Sequence, residues 1–262
     1  METLRDVLAG ARDREGVAFE APDRQTPTTH REFATNAWKA GNLLRHYGVR
    51  PGSRVALVAG PKGPDDGAEP GRLGSAPDPL LGLLGGAAAG ATVEVIPASP
   101  VEARALVAPA GWLDRYDVAP GCSVLAYGGP PEGASVAHFE RERWSENPTE
   151  PPGSVATDDP VLRVSGHEYA HADLLDAARS VVRGQGLGAD DTVVVDAPLT
   201  SAGTVAAAVV APLLAGATVR PVDGDREVES DAAYTIGTDT GDPSAGNADD
   251  SGSILDPSSV IG

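Results

Sequence analysis

Apolar residues recur along this chain either at helical spacing or in short continuous runs. In residues 30–47 the apolar side chains fall every third or fourth position and share one face, which predicts an amphipathic helix. Residues 55–59 are almost continuously apolar, which is typical of a strand covered on both faces. Residues 80–89 then predict a second helix, rich in Ala and Gly, and residues 92–96 predict a second strand.

The same succession of patterns returns later in the chain, in residues 165–222. A strand predicted at 161–164 leads into this segment, which reads as helix, strand, helix and strand, so the chain contains an internal duplication. In each copy a hydroxyl residue is followed three positions later by Glu, the pattern of a capping box that starts a helix. The shared landmarks are Thr29 with Glu32, Ser165 with Glu168, and the pentapeptide Ala-Gly-Ala-Thr-Val at 89–93 and 215–219.

These patterns predict an α/β fold made of two similar βα subdomains packed together. We expect the first subdomain at 1–150, with a Gly-, Pro- and Asp-rich mobile loop at 60–79, and the second at 151–222. Within the first, we expect a helix at 101–107 and a strand at 123–127. Residues 223–262 carry few apolar side chains, which predicts an acidic, largely disordered tail.

Charge narrows the classes of function. The formal net charge is −18 at pH 7, and Lys39 and Lys62 are the only lysines of the sequence. An evenly acidic chain stays dispersed where salt shortens the Debye length to roughly 3 Å, which favours a cytoplasmic protein of a halophile over an ordinary acidic protein. Such a field repels phosphate backbones, so we expect no nucleic-acid partner. The charged N-terminal residues predict no signal peptide.

One uncharged run, residues 197–219, is long enough to cross a bilayer. However, Pro198 and Pro212 interrupt it, and small residues dominate it. We therefore interpret this run as a buried helix and strand and expect no membrane association.

A candidate metal-binding motif lies at His167-Glu168-Tyr169-Ala170-His171, which matches the H-E-x-x-H pattern of zinc hydrolases. In that pattern two His residues one helical turn apart bind zinc, and the Glu acts as a base. Glu168 also serves the predicted capping box, and no third ligand is identifiable, so a metal site is not our first interpretation. The lone Cys122 excludes a disulfide within the chain.

Several segments in the same order resemble a known family. They are Thr28-Thr29-His30-Arg31-Glu32-Phe33, Gly48-Val49-Arg50-Pro51-Gly52-Ser53-Arg54-Val55-Ala56, Leu84-Gly85-Gly86-Ala87-Ala88-Ala89-Gly90-Ala91, His171-Ala172-Asp173-Leu174-Leu175, Asp196-Ala197-Pro198-Leu199 and Leu214-Ala215-Gly216-Ala217-Thr218-Val219. Over residues 25–222 the chain resembles the AMP-forming acyl-CoA synthetases of the adenylate-forming superfamily. The resemblance implies the paired subdomains of that family's large domain, and ATP, AMP or CoA as ligands.

The departures from the family pattern bear on activity. Members carry a Ser/Thr/Gly-rich phosphate loop, ending in Pro-Lys-Gly, between the strand at 161–164 and the helix that holds His171. Here Ser165 and Gly166 join directly onto His167, and the family's later nucleotide, magnesium and C-terminal-domain motifs are not found. We therefore expect no catalytic residues and a shortened, silent relative that binds a small ligand, nucleotide or acyl, or a protein partner, including another copy of itself. The expected ligand-binding residues are Ser165, Gly166, His171, Thr200 and Ser201.

Two alternatives remain open from the sequence. The first is a zinc-dependent hydrolase that uses the His167–His171 motif. The second is one half of a split AMP-forming ligase, in which a separate chain supplies the motifs that this sequence lacks.

Overall fold

The protein is represented by a computed structural model that describes residues 1–21, 26–60, 70–222, 232–237 and 253–261. The described helices are α1 (Leu4–Arg12), α2 (His30–His46), α3 (Asp78–Ala88), α4 (Phe139–Trp144), α5 (His171–Gln185), α6 (Ala202–Val205) and α7 (Ala211–Ala215), with a π-helical stretch, Ala206–Val210, between the last two. The described strands are β1 (Val17–Phe19), β2 (Thr28–Thr29), β3 (Arg54–Leu57), β4 (Thr92–Val95), β5 (Ala105–Pro109), β6 (Ser123–Tyr127), β7 (Ala137–His138), β8 (Pro160–Val164), β9 (His167–Ala170), β10 (Thr192–Val195), β11 (Thr218–Pro221), β12 (Tyr234–Ile236) and β13 (Ser253–Leu255).

These strands form two sheets. Within the described residues one sheet has seven strands in the order β7-β6-β5-β3-β4-β8-β9, and the other has six in the order β13-β12-β10-β11-β1-β2. All neighbouring strands are parallel except in the hairpins β1–β2 and β8–β9, which lie at one edge of each sheet. The α/β class and the two similar units predicted from the sequence are confirmed.

The two units exchange their hairpins. Hairpin β1–β2 leads into α2 of the first copy, yet β1 pairs with β11 of the second copy. Conversely, hairpin β8–β9 leads into α5 of the second copy, yet β8 pairs with β4 of the first. Each sheet is therefore completed by the opposite copy, so the units are interlocked and the predicted boundary at residue 150 is not a simple division between them.

Equivalent contacts fasten both exchanged hairpins. Thr92 Oγ1 donates a hydrogen bond to the carbonyl oxygen of Pro160 at 3.0 Å, and Thr218 Oγ1 donates to that of Val17 at the same distance. Both threonines belong to the repeated pentapeptide, so its presence in both copies has a structural reason. A cross-strand ion pair follows in each sheet, with the charges reversed between copies: Glu94 with Arg163, and Arg220 with Glu20.

A single apolar core connects both units. Helix α1 contacts α2 and α3 of the first copy and α7 of the second, and α3 packs on β3, β4 and β5. The residues of α3 are all buried, and its small side chains allow Gly85 to lie directly against Gly41 of α2: a Cβ on Gly85 would come within 2.7 Å of the Gly41 nitrogen. The helix predicted at 80–89 is thus confirmed: its small residues allow close packing on α2, and its four leucines are buried in the core.

Several expectations differ from the structure. Residues 105–109 form strand β5, not part of a helix, because they lie buried between β3 and β6, where a continuous apolar run fits a strand covered on both faces. The expected tail is wrong for β12 and β13, which extend the six-stranded sheet by parallel pairing with β10, and Tyr234 and Ile236 are buried there. Residues 61–69 of the predicted mobile loop, and most of the remaining tail, lie outside the described residues.

No helix within the described residues combines the length and the apolar character needed to cross a membrane. The uncharged run at 197–219 is divided among α6, the π-helical stretch, α7 and the start of β11, and most of its residues are buried in the core.

Candidate functional site

The segment after β8 forms a hairpin turn and not a helix. Ser165 and Gly166 have φ values of 50° and 83°, and Val164 pairs with His167 across the turn. Positive φ at both central residues is the signature of a type I′ turn, which matches the twist of a two-residue hairpin. The predicted capping box of Ser165 with Glu168 is therefore wrong. Helix α5 begins at His171, where the Asp173 carboxylate accepts a hydrogen bond from the Ala170 N–H at 2.8 Å.

This turn separates the two histidines of the H-E-x-x-H motif. His167 is exposed on strand β9, whereas His171 is buried at the first position of α5, so the two rings do not share a helical face. Within the described part of the chain, no group of three His, Cys, Asp or Glu residues could hold a metal ion. The zinc-hydrolase alternative requires both histidines on one face of a helix, and the structure does not place them there.

His171 also differs from its predicted role in ligand binding. Its side chain is only 1% exposed, and its Nδ1 accepts a hydrogen bond from the Leu4 N–H at 3.1 Å. Burial lowers the pKa of His171 to about 4, with Asp159 and Asp6 opposing the shift. The ring is therefore neutral near pH 7 and joins α5 to α1, which is a structural task.

The other predicted residues lie at the carboxyl ends of the strands. Strand β8 runs parallel to β4, and the register that pairs Glu94 with Arg163 puts Ser165 level with Ile96, the residue after β4. Both Ser165 and Gly166 are exposed at this edge. In open α/β sheets ligands bind at this edge, so the turn lies where a ligand could reach it.

Thr200 and Ser201 follow β10 at the carboxyl edge of the other sheet. Ser201 caps α6, since its Oγ accepts a hydrogen bond from the Thr204 N–H at 3.0 Å and contacts Thr204 Oγ1 at 2.9 Å. Thr200 is exposed, and its methyl group approaches Gly71. The Ser201 hydroxyl is therefore used in capping α6, whereas the Thr200 side chain is exposed to solvent.

The two carboxyl edges meet at Gly71, and we call this junction the crevice. The Gly71 N–H donates to the Ala59 carbonyl at 2.7 Å, while the Gly71 carbonyl accepts from the Leu199 N–H at 2.9 Å, so this residue is bonded to both units. A Cβ at Gly71 would come within 2.9 Å of Ile96 Cδ1 and 3.0 Å of Thr200 Cγ2. The crevice is thus bounded by side chains from both copies.

Ile96 occupies an unusual backbone conformation at the same place. Its φ is 53°, which is rare for a β-branched residue, and its N–H donates to the Leu57 carbonyl at 2.8 Å. Residues held in such regions cluster at binding and active sites, because the surrounding structure must compensate for the strain. This feature cannot be detected from sequence, where Ile96 is simply the end of an apolar run.

The crevice also contains an ion pair that sequence reasoning missed. Arg72 Nη1 donates to Asp196 Oδ1 at 2.6 Å and to the Asp196 carbonyl oxygen at 2.5 Å. Arg72 belongs to the loop that we expected to be a mobile surface segment, and only its position as a basic residue in an acidic stretch could have drawn attention to it. The pair links the loop after β3 to the residue after β10.

Two cavities lie away from this edge. A groove of about 580 Å³ runs along the amino ends of β3, β4 and β8, where Arg54 and Arg104 alternate with Glu102 and Glu168. A cavity of about 530 Å³ lies along α5, lined by Glu168, Tyr169, Asp173, Asp176, Val260 and Ile261. Neither is lined by the predicted ligand-binding residues Ser165, Gly166, His171, Thr200 and Ser201.

Comparison with known proteins yields matches at the level of structure. No family model matches the chain, and no curated protein matches it by sequence. Among solved structures, the anthranilate CoA ligase AuaEII in complex with anthranoyl-AMP is similar with a TM-score of 0.70 and 19% identity, over 90% of this chain and 49% of that one. A benzoate CoA ligase from Burkholderia xenovorans gives 0.68 and 19%, over 90% and 50%.

The N-terminal domain of FACL13 from Mycobacterium tuberculosis is similar with a TM-score of 0.65 and 14% identity, over 90% of this chain and 63% of that one. The nonribosomal peptide synthetase FmoA3 also matches, with a TM-score of 0.66 and 21% identity. The chain spans about half the length of the CoA ligases that it matches. The resemblance found in the sequence is therefore confirmed at the level of the fold: residues from both copies build an α/β architecture that is also found in these CoA ligases and in the peptide synthetase.

Proposed function

We propose that this protein is a non-catalytic relative of the adenylate-forming ligases, and that it binds a nucleotide or acyl ligand in the crevice at the carboxyl ends of its strands. The observation that carries the proposal is the two-residue turn at Ser165 and Gly166. It occupies the place where the resemblance implies a phosphate loop, within the part of the fold that the chain shares with the CoA ligases.

The chemistry of adenylation explains why the turn matters. A phosphate loop holds preorganised donors at the positions where charge develops during the reaction, and losing one such donor typically costs a hundredfold or more in rate. A type I′ turn offers one hydroxyl and two backbone N–H groups, and β8 and β9 hold it in a tight hairpin. Lys39, the single lysine within the described ranges, is bound at Trp144 through the Trp144 carbonyl and ring.

The retained features favour binding. The crevice brings the exposed hydroxyl of Thr200, the backbone around Gly71 and the Ser165 turn to carboxyl edges that come from the two copies. A ligand at such an edge contacts both units, so its binding stabilises their mutual arrangement.

Calorimetric titration of the full chain in concentrated KCl tests the proposal, with AMP, ATP, CoA and a non-hydrolysable acyl adenylate as separate ligands. We expect one of them to bind with a stoichiometry near one. The Thr200→Val variant keeps the methyl contact with Gly71 and removes the hydroxyl, and should bind that ligand about two- to tenfold more weakly. Thr149→Val, at an exposed position in the linker before β8, is the matched control.

An ATP–pyrophosphate exchange assay tests the non-catalytic part separately. We expect background exchange from the chain alone and in the presence of lysate. Exchange by the chain alone would refute the proposal, and exchange that requires lysate would instead identify one half of a split ligase. Absence of binding to all four ligands, with no second protein or second copy detected by sedimentation, would refute the binding role.

A further inference from the structure

The Arg72–Asp196 pair has the properties of a replaceable contact. The side chains of Arg72 and Asp196 are 53% and 48% exposed, so solvent screens their attraction. Within the described residues Arg72 makes its hydrogen bonds through Nη1 alone, which leaves the N–H groups of Nε and Nη2 available. Guanidinium groups bind phosphate and carboxylate through two parallel hydrogen bonds, a geometry that the present pair does not use.

The surroundings fix the guanidinium in the crevice. Arg72 follows Gly71, whose backbone is bonded to both units, so the loop cannot carry the side chain far from the edge. Ile96 and Thr200 border the same position. In a chain with a net charge of −18, an anion that reaches this edge needs a local cation, and Arg72 supplies one between the two units.

We propose that Arg72 is the anion-binding residue of the crevice, and that an oxyanion of the ligand, phosphate or carboxylate, replaces Asp196 as its partner. This inference rests on the proposed binding function and specifies its ligand: the bound molecule carries an oxyanion, and the residue after β10 competes with it. Arg72 thereby selects charged ligands over neutral ones of similar shape.

The balance of the two contacts favours the exchange. A half-exposed ion pair of this kind changes an equilibrium constant by less than about fivefold. A bidentate bond between guanidinium and phosphate is about twice as strong as a neutral hydrogen bond and is worth roughly ten- to a hundredfold. The displaced Asp196 carboxylate is already half in water, so its release costs little.

Two substitutions with opposite expected effects test the proposal in the full chain. Arg72→Gln should weaken binding of AMP by roughly ten- to a hundredfold and leave binding of adenosine unchanged. Asp196→Asn, which keeps the shape of the side chain and removes its charge, should tighten binding of AMP about twofold to fivefold. Arg141→Gln changes an Arg whose side chain is 74% exposed on α4 and serves as the matched control.

A second readout does not depend on nucleotide binding. In protein labelled with ¹⁵N at arginine, the Arg72 Nε–H resonance is identified as the one that disappears in Arg72→Gln. This resonance should shift on titration with pyrophosphate. A parallel titration with acetate tests whether a carboxylate also binds. The Arg141 resonance should stay in place.

The outcomes separate the two proposals. If AMP binds and Arg72→Gln binds it as well as the unchanged chain, Arg72 is not the anion-binding residue, although the binding function stands. If pyrophosphate shifts the Arg72 resonance while no nucleotide or acyl ligand binds, the anion site stands and the proposed function fails. If Asp196→Asn weakens AMP binding as Arg72→Gln does, the pair has only a structural role and the exchange is refuted. A Nε–H resonance that no oxyanion shifts also overturns the inference.

Discussion

Two buried histidines show how single residues join the copies of this fold. Each is the first residue of a helix, His30 in α2 and His171 in α5. His30 Nε2 donates to the Gly216 carbonyl oxygen at 2.9 Å, across the boundary between the copies, and His171 accepts from Leu4. Burial lowers the pKa of both rings, so both are neutral at pH 7. The contribution of these histidines to the free energy of unfolding therefore depends on pH.

The pKa of His171 predicts a stability that falls on acidification. Because the folded pKa is about 4 and the unfolded value is about 6.5, the unfolded chain binds more protons between these limits. The contribution is fully present above pH 6.5 and is lost as pH falls toward 4, by up to about 1.4 kcal/mol per pH unit. His171→Asn keeps an acceptor for the Leu4 N–H and does not titrate, so its free energy of unfolding should vary less between pH 7 and pH 5.

Denaturant unfolding of the two proteins at several pH values measures this difference. Asp159 and Asp6 favour the charged ring and so oppose the effect of burial on the pKa of His171. Both carboxylates are present in the unchanged chain and in the Asn variant, so the difference between the two proteins isolates the histidine. His46→Asn is the control, because the His46 side chain is 74% exposed. Equal pH slopes for His171→Asn and the unchanged chain would contradict the assignment of a buried neutral ring.

Gly71 provides a second prediction at a single residue. Its φ of 105° is unfavourable for any side chain, and an added Cβ would also meet Ile96 and Thr200 at about 3 Å. Gly71→Ala should therefore cost about 1 kcal/mol for the backbone and about 1–3 kcal/mol more for overpacking. Gly52 has a φ of 79°, and no atom lies within 4 Å of the position that a Cβ would take there, so Gly52→Ala isolates the backbone cost. Equal losses in thermal unfolding would show that the crevice is not closely packed at Gly71.

Among the helices and strands, those with a long and regular apolar pattern could be predicted from the sequence. The helix expected at 30–47 is α2, because its apolar spacing persists over four turns and Thr29 and Glu32 form the expected capping box. The box proposed for Ser165 failed because Ser-Gly equally fits a hairpin turn. Strand β9 has four residues, too few to display an alternating pattern that would have decided between the two.

The exchange of hairpins could not be predicted from the sequence. The repeated segments indicate what each copy forms, but the edge to which a strand adds is decided by long-range packing and register. Thr92 and Thr218 were visible as part of a repeat, and only the structure shows that each binds the hairpin of the other copy. The ion pair of Arg72 with Asp196 was missed for the same reason, since it joins segments from the two copies that are far apart in the sequence.

The hairpin between β8 and β9 gives a prediction at this scale. Asn is preferred over Ser at the first central position of a type I′ turn, because it tolerates positive φ. Ser165→Asn should raise the free energy of unfolding by about 0.5 kcal/mol, and Ser165→Val should lower it by about 1–2 kcal/mol, since a β-branched residue is strained there. If the segment were instead the start of a helix, the valine variant would be tolerated and the asparagine variant would bring no gain.

For the whole molecule, the balance of charge decides how salt acts. The formal charge of −18 produces repulsion over the entire surface, while cross-strand pairs such as Glu94 with Arg163 supply local attraction. Salt weakens both the attraction and the repulsion. The two charges of each ion pair are close together and partly buried, so salt screens their attraction less than it screens the repulsion between distant carboxylates. We therefore predict that stability rises with KCl.

Thermal unfolding in KCl from about 0.1 M to about 1 M measures this effect, because the Debye length falls from about 10 Å to about 3 Å over that range. We expect the midpoint to rise steadily, as it would for a protein adapted to concentrated salt. Sucrose, which strengthens burial without screening charge, is the control, and its effect at matched osmolality should be smaller. A midpoint that stays constant or falls in KCl would show that ion pairs across the two sheets, and not the net charge, dominate the electrostatics of this fold.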